Sequence, residues 1–186
     1  MEIVLASASP RRQELLKNAG IPFSVRPANL KEIRRLDEDP KAFAERMGRE
    51  KAEAVHKSMP DACVLAADTV VVVDHQVLGK PDSVADAARM LRLLAGRQHK
   101  VITGVCLRGS GFEDVRSETT TVQFNPLTDD EIQHYISTGE PVDKAGAYGI
   151  QGLASRWISR IEGDYFNVVG LPVALVWGML HEHGLL

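Results

Sequence analysis

Along the 186 residues, short apolar runs alternate with helical stripes. Residues 2–7 are an apolar run ending in small hydroxyl residues, which predicts a short buried strand. Arg11 to Asn18 follows with a helical pattern closed by Gly20. "IPFSVRP" predicts another strand, and "ANLKEIRRLDEDP" is polar and irregular, as a loop over a site would be. From Pro40 to about His56 the spacing predicts a helix with Phe43, Met47 and Ala54 on its inner side, although Gly48 weakens it. "ACVLAADTVVVVDHQVLGKP" is rich in β-branched residues. It predicts a strand, a break near Asp68, a second strand and a turn at Asp74-His75.

Further along, Ser83 caps a predicted helix that reaches Ala95 and ends at Gly96. Residues 99–108 and 113–124 flank "GSG" as a long hairpin. Thr128 and Glu131 have the spacing of a capping box for a helix to about Thr138. "DKAGAYGIQG" is a glycine-punctuated loop, "SRWISRIEG" a strand, and Leu171 to His183 a final helix. Strands and helices mix irregularly, and no repeat or low-complexity linker divides them. The expectation is one α/β or α+β domain over 1–186, built around a mixed sheet.

Composition narrows the function classes. A chain this long buries roughly 70% of its unfolded surface and needs no staples. The net charge is -3, so no global field attracts nucleic acid or an anionic membrane, and any anion site must be local. No stretch approaches the about 18 continuous apolar residues of a transmembrane helix, and the first residues lack the charged start of a signal peptide. Cys63 and Cys106 stand far apart in apolar runs, which predicts buried reduced thiols and a cytoplasmic protein.

Candidate chemistry begins in "SASPRR". Ser9 can cap a helix whose first residue is Pro10, leaving free N–H donors and the positive dipole end. Arg11 and Arg12 in that first turn oppose the dipole, and a bound phosphate would resolve the conflict. The alternative is a capped helix whose arginines face water. In "AADT", Asp68 follows a strand that should be buried, which suggests a Mg²⁺ ligand or a general base. A turn-capping aspartate is the plainer reading. "LGKPD" is not a Walker A loop, because Pro81 follows Lys80. Lys51 lies on the amphipathic helix, and each lysine alone reads as a solvated charge. Gly146, Gly149 and Gly152 do not match the dinucleotide GxGxxG pattern. They either allow turns or let backbone approach a planar ligand, with Gln151 offering donors and an acceptor. "HEH" at the C-terminus reads as a solvated tail.

Taken together, "LASASPRRQELL", "REKA", "AADTVVVVD", "GKP", "DKAGAYGIQG" and "IEGDYFNVVGLP" resemble the Maf family of nucleoside triphosphate pyrophosphatases, in order and spacing from Leu5 to Pro172. "AGAYGIQG" resembles the branch that acts on dTTP and UTP, where the 7-methylguanosine triphosphate branch typically has Glu in place of this Gln. The resemblance implies an α/β fold with a mixed elongated sheet, flanking helices and two lobes around a cleft, similar to inosine triphosphatase. It implies hydrolysis of a nucleoside triphosphate to the monophosphate and pyrophosphate with Mg²⁺ or Mn²⁺, and a cytoplasmic homodimer. It assigns Asp68 as catalytic base, Glu32 with Asp68 as metal ligands, and Ser9, Arg11, Arg12, Lys51, Lys80 and Lys144 to phosphate. Arg11, Thr69 and Gln151 form its substrate-selection set. Family members often carry an acidic pair where this sequence reads Lys31-Glu32. Two other readings stay open: a pyrophosphatase for modified nucleotides such as 7-methylguanosine triphosphate, and a non-catalytic nucleotide-binding regulator of cell division.

Overall fold

A computed structural model describes residues 1–186. Seven strands form one mixed sheet with helices around it, in the order β2-β1-β3-β5-β6-β7, with β4 paired to β3. The chain divides into two compact units. The first is Met1–Asp68, Thr103–Glu118 and Gly170–Leu186, and the second is Thr69–Ile102 and Thr119–Val169.

In the first unit β1 (Ile3–Leu5) pairs in parallel with β2 (Ser24–Val25) and with the start of β3 (Cys63–Val73). Helix α1 (Pro10–Asn18) starts as the sequence predicts: Ser9 Oγ accepts from the Arg12 amide at 3.4 Å, and Pro10 is the first helical residue. Helix α2 (Pro40–His56) is capped by Asp39, whose side chain accepts from the Lys41 and Ala42 amides. Its buried stripe is Phe43, Met47, Lys51 and Val55 flanked by Ala44, Gly48 and Ala52. Ala54, expected inside, is exposed, because the stripe turns away from it in the last turn. Gly48 is no weakness here. A Cβ on it would stand 3.2 Å from the Gly104 carbonyl oxygen, so glycine lets α2 approach β5 (Gln98–Gly109) closely. An apolar cluster of Val4, Ala6, Ala52, Val55, Val64, Ala66 and Cys106 fills this unit.

In the second unit β3 turns at Asp74 and His75, both at positive φ, into the antiparallel β4 (Gln76–Leu78). Helix α3 (Val84–Leu94) is capped by Ser83, and α4 (Asp129–Ser137) carries the full Thr128–Glu131 capping box. β5 and β6 (Phe112–Phe124) form the expected hairpin, and β6 pairs antiparallel with β7 (Ile158–Glu162). Leu91, Leu94, Phe124, Ile132, Tyr135 and Trp157 lie at the centre of its core.

Other expectations change. β3 runs unbroken through Asp68, because a strand's ladder uses backbone groups and tolerates a carboxylate that finds a partner. Leu153–Trp157 is a 3₁₀ turn, so only the second half of "SRWISRIEG" is strand. A short helix, α5 (Tyr165–Val169), precedes the final α6 (Val173–Glu182). "HEH" is not a free tail: His183 stacks on Phe112 with centroids 4.1 Å apart, and its Nε2 lies 3.1 Å from Asp114 Oδ2.

Candidate active site

The first unit holds six of the expected residues (Ser9, Arg11, Arg12, Glu32, Lys51 and Asp68) and joins two of them, Asp68 and Glu32, to the Lys51 ammonium. Lys51 sits on the inner face of α2, where a lysine must find partners. Its Nζ donates to Asp68 Oδ1 at 2.6 Å and to Glu32 Oε1 at 2.6 Å. Asp68 is buried in β3, while Glu32 is more open to solvent. Burial pushes the Asp68 carboxyl above the ordinary carboxylate range, the Lys51 ammonium pulls it back, and the Glu32 charge adds to the rise.

Arg12 stands beside this group. Its Nε donates to the Gly170 carbonyl at 2.8 Å and its Nη1 to Ser7 Oγ at 3.3 Å. Burial lowers the proton affinity of its guanidinium, and the charges of Asp68 and Glu32 raise it. Ser7 Oγ also accepts from the Ser9 amide at 3.2 Å, so Ser7 links the cap to the arginine. Arg11 lies next to Arg12 in the first helical turn, half-buried. The structure thus places two guanidinium groups and a capped helix start beside two carboxylates.

Glu32 belongs to a segment without regular structure, and Arg46 of α2 fixes that segment. Its Nη2 donates to the Ile33 carbonyl at 2.9 Å, and its Nε and Nη2 grip both Glu38 carboxylate oxygens at 2.6 and 2.7 Å. This fork holds the Glu38 carboxyl down to about 2, with the Arg46 hydrogen bond as the main cause. Neither Ser7, Arg46 nor Glu38 was expected at the site. Ser7 was detectable as a hydroxyl closing a buried strand. The Arg46–Glu38 pair spans a loop and a helix start and follows no local period.

A divalent cation suits this donor set. Asp68 and Glu32 are two carboxylates that converge on one positive group, the Lys51 ammonium, which is the charge they would share with a bound cation. No group of three or more His, Cys, Asp or Glu side chains is placed to hold a metal ion. Two carboxylates with phosphate and water completing the shell match how Mg²⁺ is usually held.

The other expected residues belong to the second unit. Thr69 follows Asp68 in β3 and alternates to the opposite face of the strand. Lys80 is exposed in the turn after β4. That turn is tied to the glycine loop, since the Gly146 amide donates to the Gly79 carbonyl at 3.0 Å. Lys144 Nζ donates to the Glu140 carbonyl and to Asp143 Oδ1, each at 2.7 Å, so its ammonium is engaged in its own turn. Gln151 is exposed at the tip of a turn closed by the Gly152 amide on the Gly149 carbonyl at 3.1 Å.

An open mixed sheet with flanking helices, carrying a buried aspartate in the middle of a strand that is paired with a helix lysine and a loop glutamate, is an α/β architecture with a candidate acid–base site. The fold is that of the Ham1 protein of Staphylococcus aureus, with a TM-score of 0.50 at 18% identity over 96% of this chain and 100% of that one. More particularly, the Maf-like protein family model matches residues 2–183, and the chain belongs to that family. It is 55% identical over 186 residues to the dTTP/UTP pyrophosphatase of Koribacter versatilis, covering 100% of this chain and 96% of that protein. It is 52% identical over 182 residues to the dTTP/UTP pyrophosphatase of Syntrophomonas wolfei, covering 97% and 96%.

Proposed function

We propose that the protein is a nucleoside triphosphate pyrophosphatase that hydrolyses dTTP and UTP to the monophosphate and pyrophosphate, and so keeps the nucleotide pool clean. Family membership and relatives at 55% and 52% identity support the activity. The observation that carries the chemistry is the convergence of Asp68 and Glu32 on Lys51 at 2.6 Å each.

In this reading Asp68 takes a proton from the water that attacks the α-phosphorus. Burial makes its carboxylate a stronger base, and Lys51 keeps it ionised until the reaction. The P–O bond to the β-phosphate breaks, and pyrophosphate leaves with that oxygen. Ser9, Arg11, Arg12, Lys51, Lys80 and Lys144 take the phosphate oxygens, guanidinium forks as paired donors and lysines as point charges. Glu32 and Asp68 hold a Mg²⁺ or Mn²⁺ ion. When bound, that ion supplies charge neutralisation and lowers the pKa of a water. Lys144 keeps a third N–H donor beyond its contacts with Glu140 and Asp143.

Arg11, Thr69 and Gln151 select the base. Uracil and thymine present an N3–H donor flanked by carbonyls, and an amide side chain offers the matching acceptor and donor. Cytosine lacks that N3 donor. A buried mismatch of this kind costs about 1–3 kcal/mol. A cytoplasmic homodimer completes the proposal. Cys63 and Cys106, buried and unbonded to each other, suit a reducing compartment, and burial pushes their thiols up to about 11 and about 12.

Hydrolysis of UTP in ¹⁸O-labelled water tests the attack. The label should enter UMP, with pyrophosphate unlabelled. Label in pyrophosphate, or release of orthophosphate and UDP, would contradict attack at the α-phosphorus.

A further inference from the structure

The turn that carries Gln151 is held by two side chains outside the glycine loop. Tyr135, on α4, accepts from the Gly149 amide at 3.2 Å through its hydroxyl oxygen and donates to Glu140 Oε1 at 2.8 Å. Glu140 Oε2 then accepts from the Leu153 amide at 3.1 Å. One carboxylate–phenol pair therefore grips the backbone two residues before Gln151 and two residues after it. Between these anchors the turn closes on itself, Ile150 is buried, and Gln151 is left exposed at the tip. The Tyr135 ring is fixed in turn by edge-to-face packing on Trp157, with centroids 5.0 Å apart.

The glycine at 152 belongs to the same device. A Cβ there would meet Glu140 Oε1 at 2.2 Å and Oε2 at 2.5 Å, so only glycine lets the carboxylate lie against the turn. Two directional acceptors, one on each side, hold the backbone from which the exposed Gln151 side chain leaves the turn.

We propose that Glu140 and Tyr135 are positioning residues for base selection: they set the Gln151 amide at the angle that distinguishes uracil and thymine from cytosine. This inference rests on the reading of Gln151 as the group that meets the base. Glu140 is suited to the task because an ionised carboxylate accepts from both the phenol and the amide. An alanine in its place removes both acceptors at once, whereas a glutamine could keep both contacts by donating to the Tyr135 hydroxyl oxygen and accepting from the Leu153 amide.

The test is the ratio of kcat/KM for UTP to that for CTP in Tyr135→Phe, Glu140→Ala and Gly152→Ala, with Gln151→Ala as reference. Tyr135→Phe keeps the ring on Trp157 and removes only the hydroxyl. Gly152→Ala displaces the carboxylate without altering its charge, and so serves if either polar variant fails to fold. The expected result is a ratio lowered about tenfold in the clamp variants. The change should arise mainly in KM for UTP, with kcat within a few-fold of wild type. A purely structural role would lower both substrates together and leave the ratio unchanged, which overturns the inference. Should Gln151→Ala shift the ratio while the clamp variants do not, the clamp fails and the base reading stands. Should Gln151→Ala leave the ratio unchanged, the base reading fails and takes the clamp with it.

Discussion

Asp68 meets two opposing demands: burial makes its carboxyl hold a proton more tightly, and Lys51 at 2.6 Å favours the charged form. A base needs both, since it must be ionised and still accept a proton. Asp68→Asn keeps the size and the burial, so it should fold normally and lose roughly 10²–10⁴-fold in turnover. Circular dichroism and pyrophosphate release measure the two halves of that statement. Glu32→Gln should weaken Mn²⁺ binding, read by electron paramagnetic resonance without substrate, by at least the roughly tenfold loss that outer-shell changes already cause. His99 makes a separate prediction. It is buried, its Nε2 lies 2.7 Å from the Tyr148 hydroxyl, and burial depresses its pKa from 6.5 to about 4. Unfolding lets it take a proton below its ordinary pKa. Its contribution is therefore present above about pH 6.5 and is lost as pH falls towards 4, by about 3 kcal/mol in all. Urea denaturation at pH 7 and pH 4.5 should show that loss in wild type and a smaller one in His99→Gln. Equal losses would remove His99 from the pH dependence.

Elements whose signals are local could be read from the sequence. Ser9, Ser83 and Thr128 each cap the helix expected of them, and Asp74-His75 turns where two strands meet. Thr128→Ala should therefore cost about 1 kcal/mol, measured by thermal unfolding. Features that depend on distant partners could not be read this way. The break expected at Asp68 arose from treating a buried carboxylate as an interruption, when Lys51, 17 residues earlier, satisfies it. Ala54 failed for a related reason: periodicity gives a stripe but not where the core beneath it ends. His183 stacks on Phe112 of a hairpin far away in sequence, which no pattern near the C-terminus reveals. The close approach of α2 to β5 was equally hidden. Its glycine at 104 has the Ala44 backbone carbon 2.3 Å from a would-be Cβ, and helix backbone yields little. Gly104→Ala should destabilise the protein by about 1–3 kcal/mol, and Gly48→Ala by less, since its nearest neighbour is at 3.2 Å. Chemical denaturation of the two variants orders them.

At the scale of the whole molecule, each compact unit has its own apolar core and its own share of the chemistry. Asp68 and Glu32, the carboxylates proposed for catalysis, lie in the first with Lys51 and the arginines. Lys80, Lys144, Thr69 and Gln151 lie in the second, with Thr69 immediately following Asp68 on β3. Ser9 with the arginines, Asp68 and Gln151 stand out in the sequence because each sits in a short stretch with its own pattern (a capped helix start, a carboxylate in an apolar strand, a glycine-spaced turn), whereas Glu32, Thr69 and the lysines are assigned through the family resemblance. The sequence did not carry the supports, Arg46 with Glu38 and Tyr135 with Glu140, whose partners are joined only by the fold. The central claim is that Asp68 drives hydrolysis of pyrimidine triphosphates that carry an N3–H. The most direct measurement is pyrophosphate release from dTTP, UTP, CTP and GTP, with Mg²⁺ or Mn²⁺, by wild type and by Asp68→Asn. The account predicts fast release from dTTP and UTP by wild type, little from CTP and GTP, and almost none from any substrate by the variant. Equal release from all four nucleotides, or wild-type rates in Asp68→Asn, would contradict it.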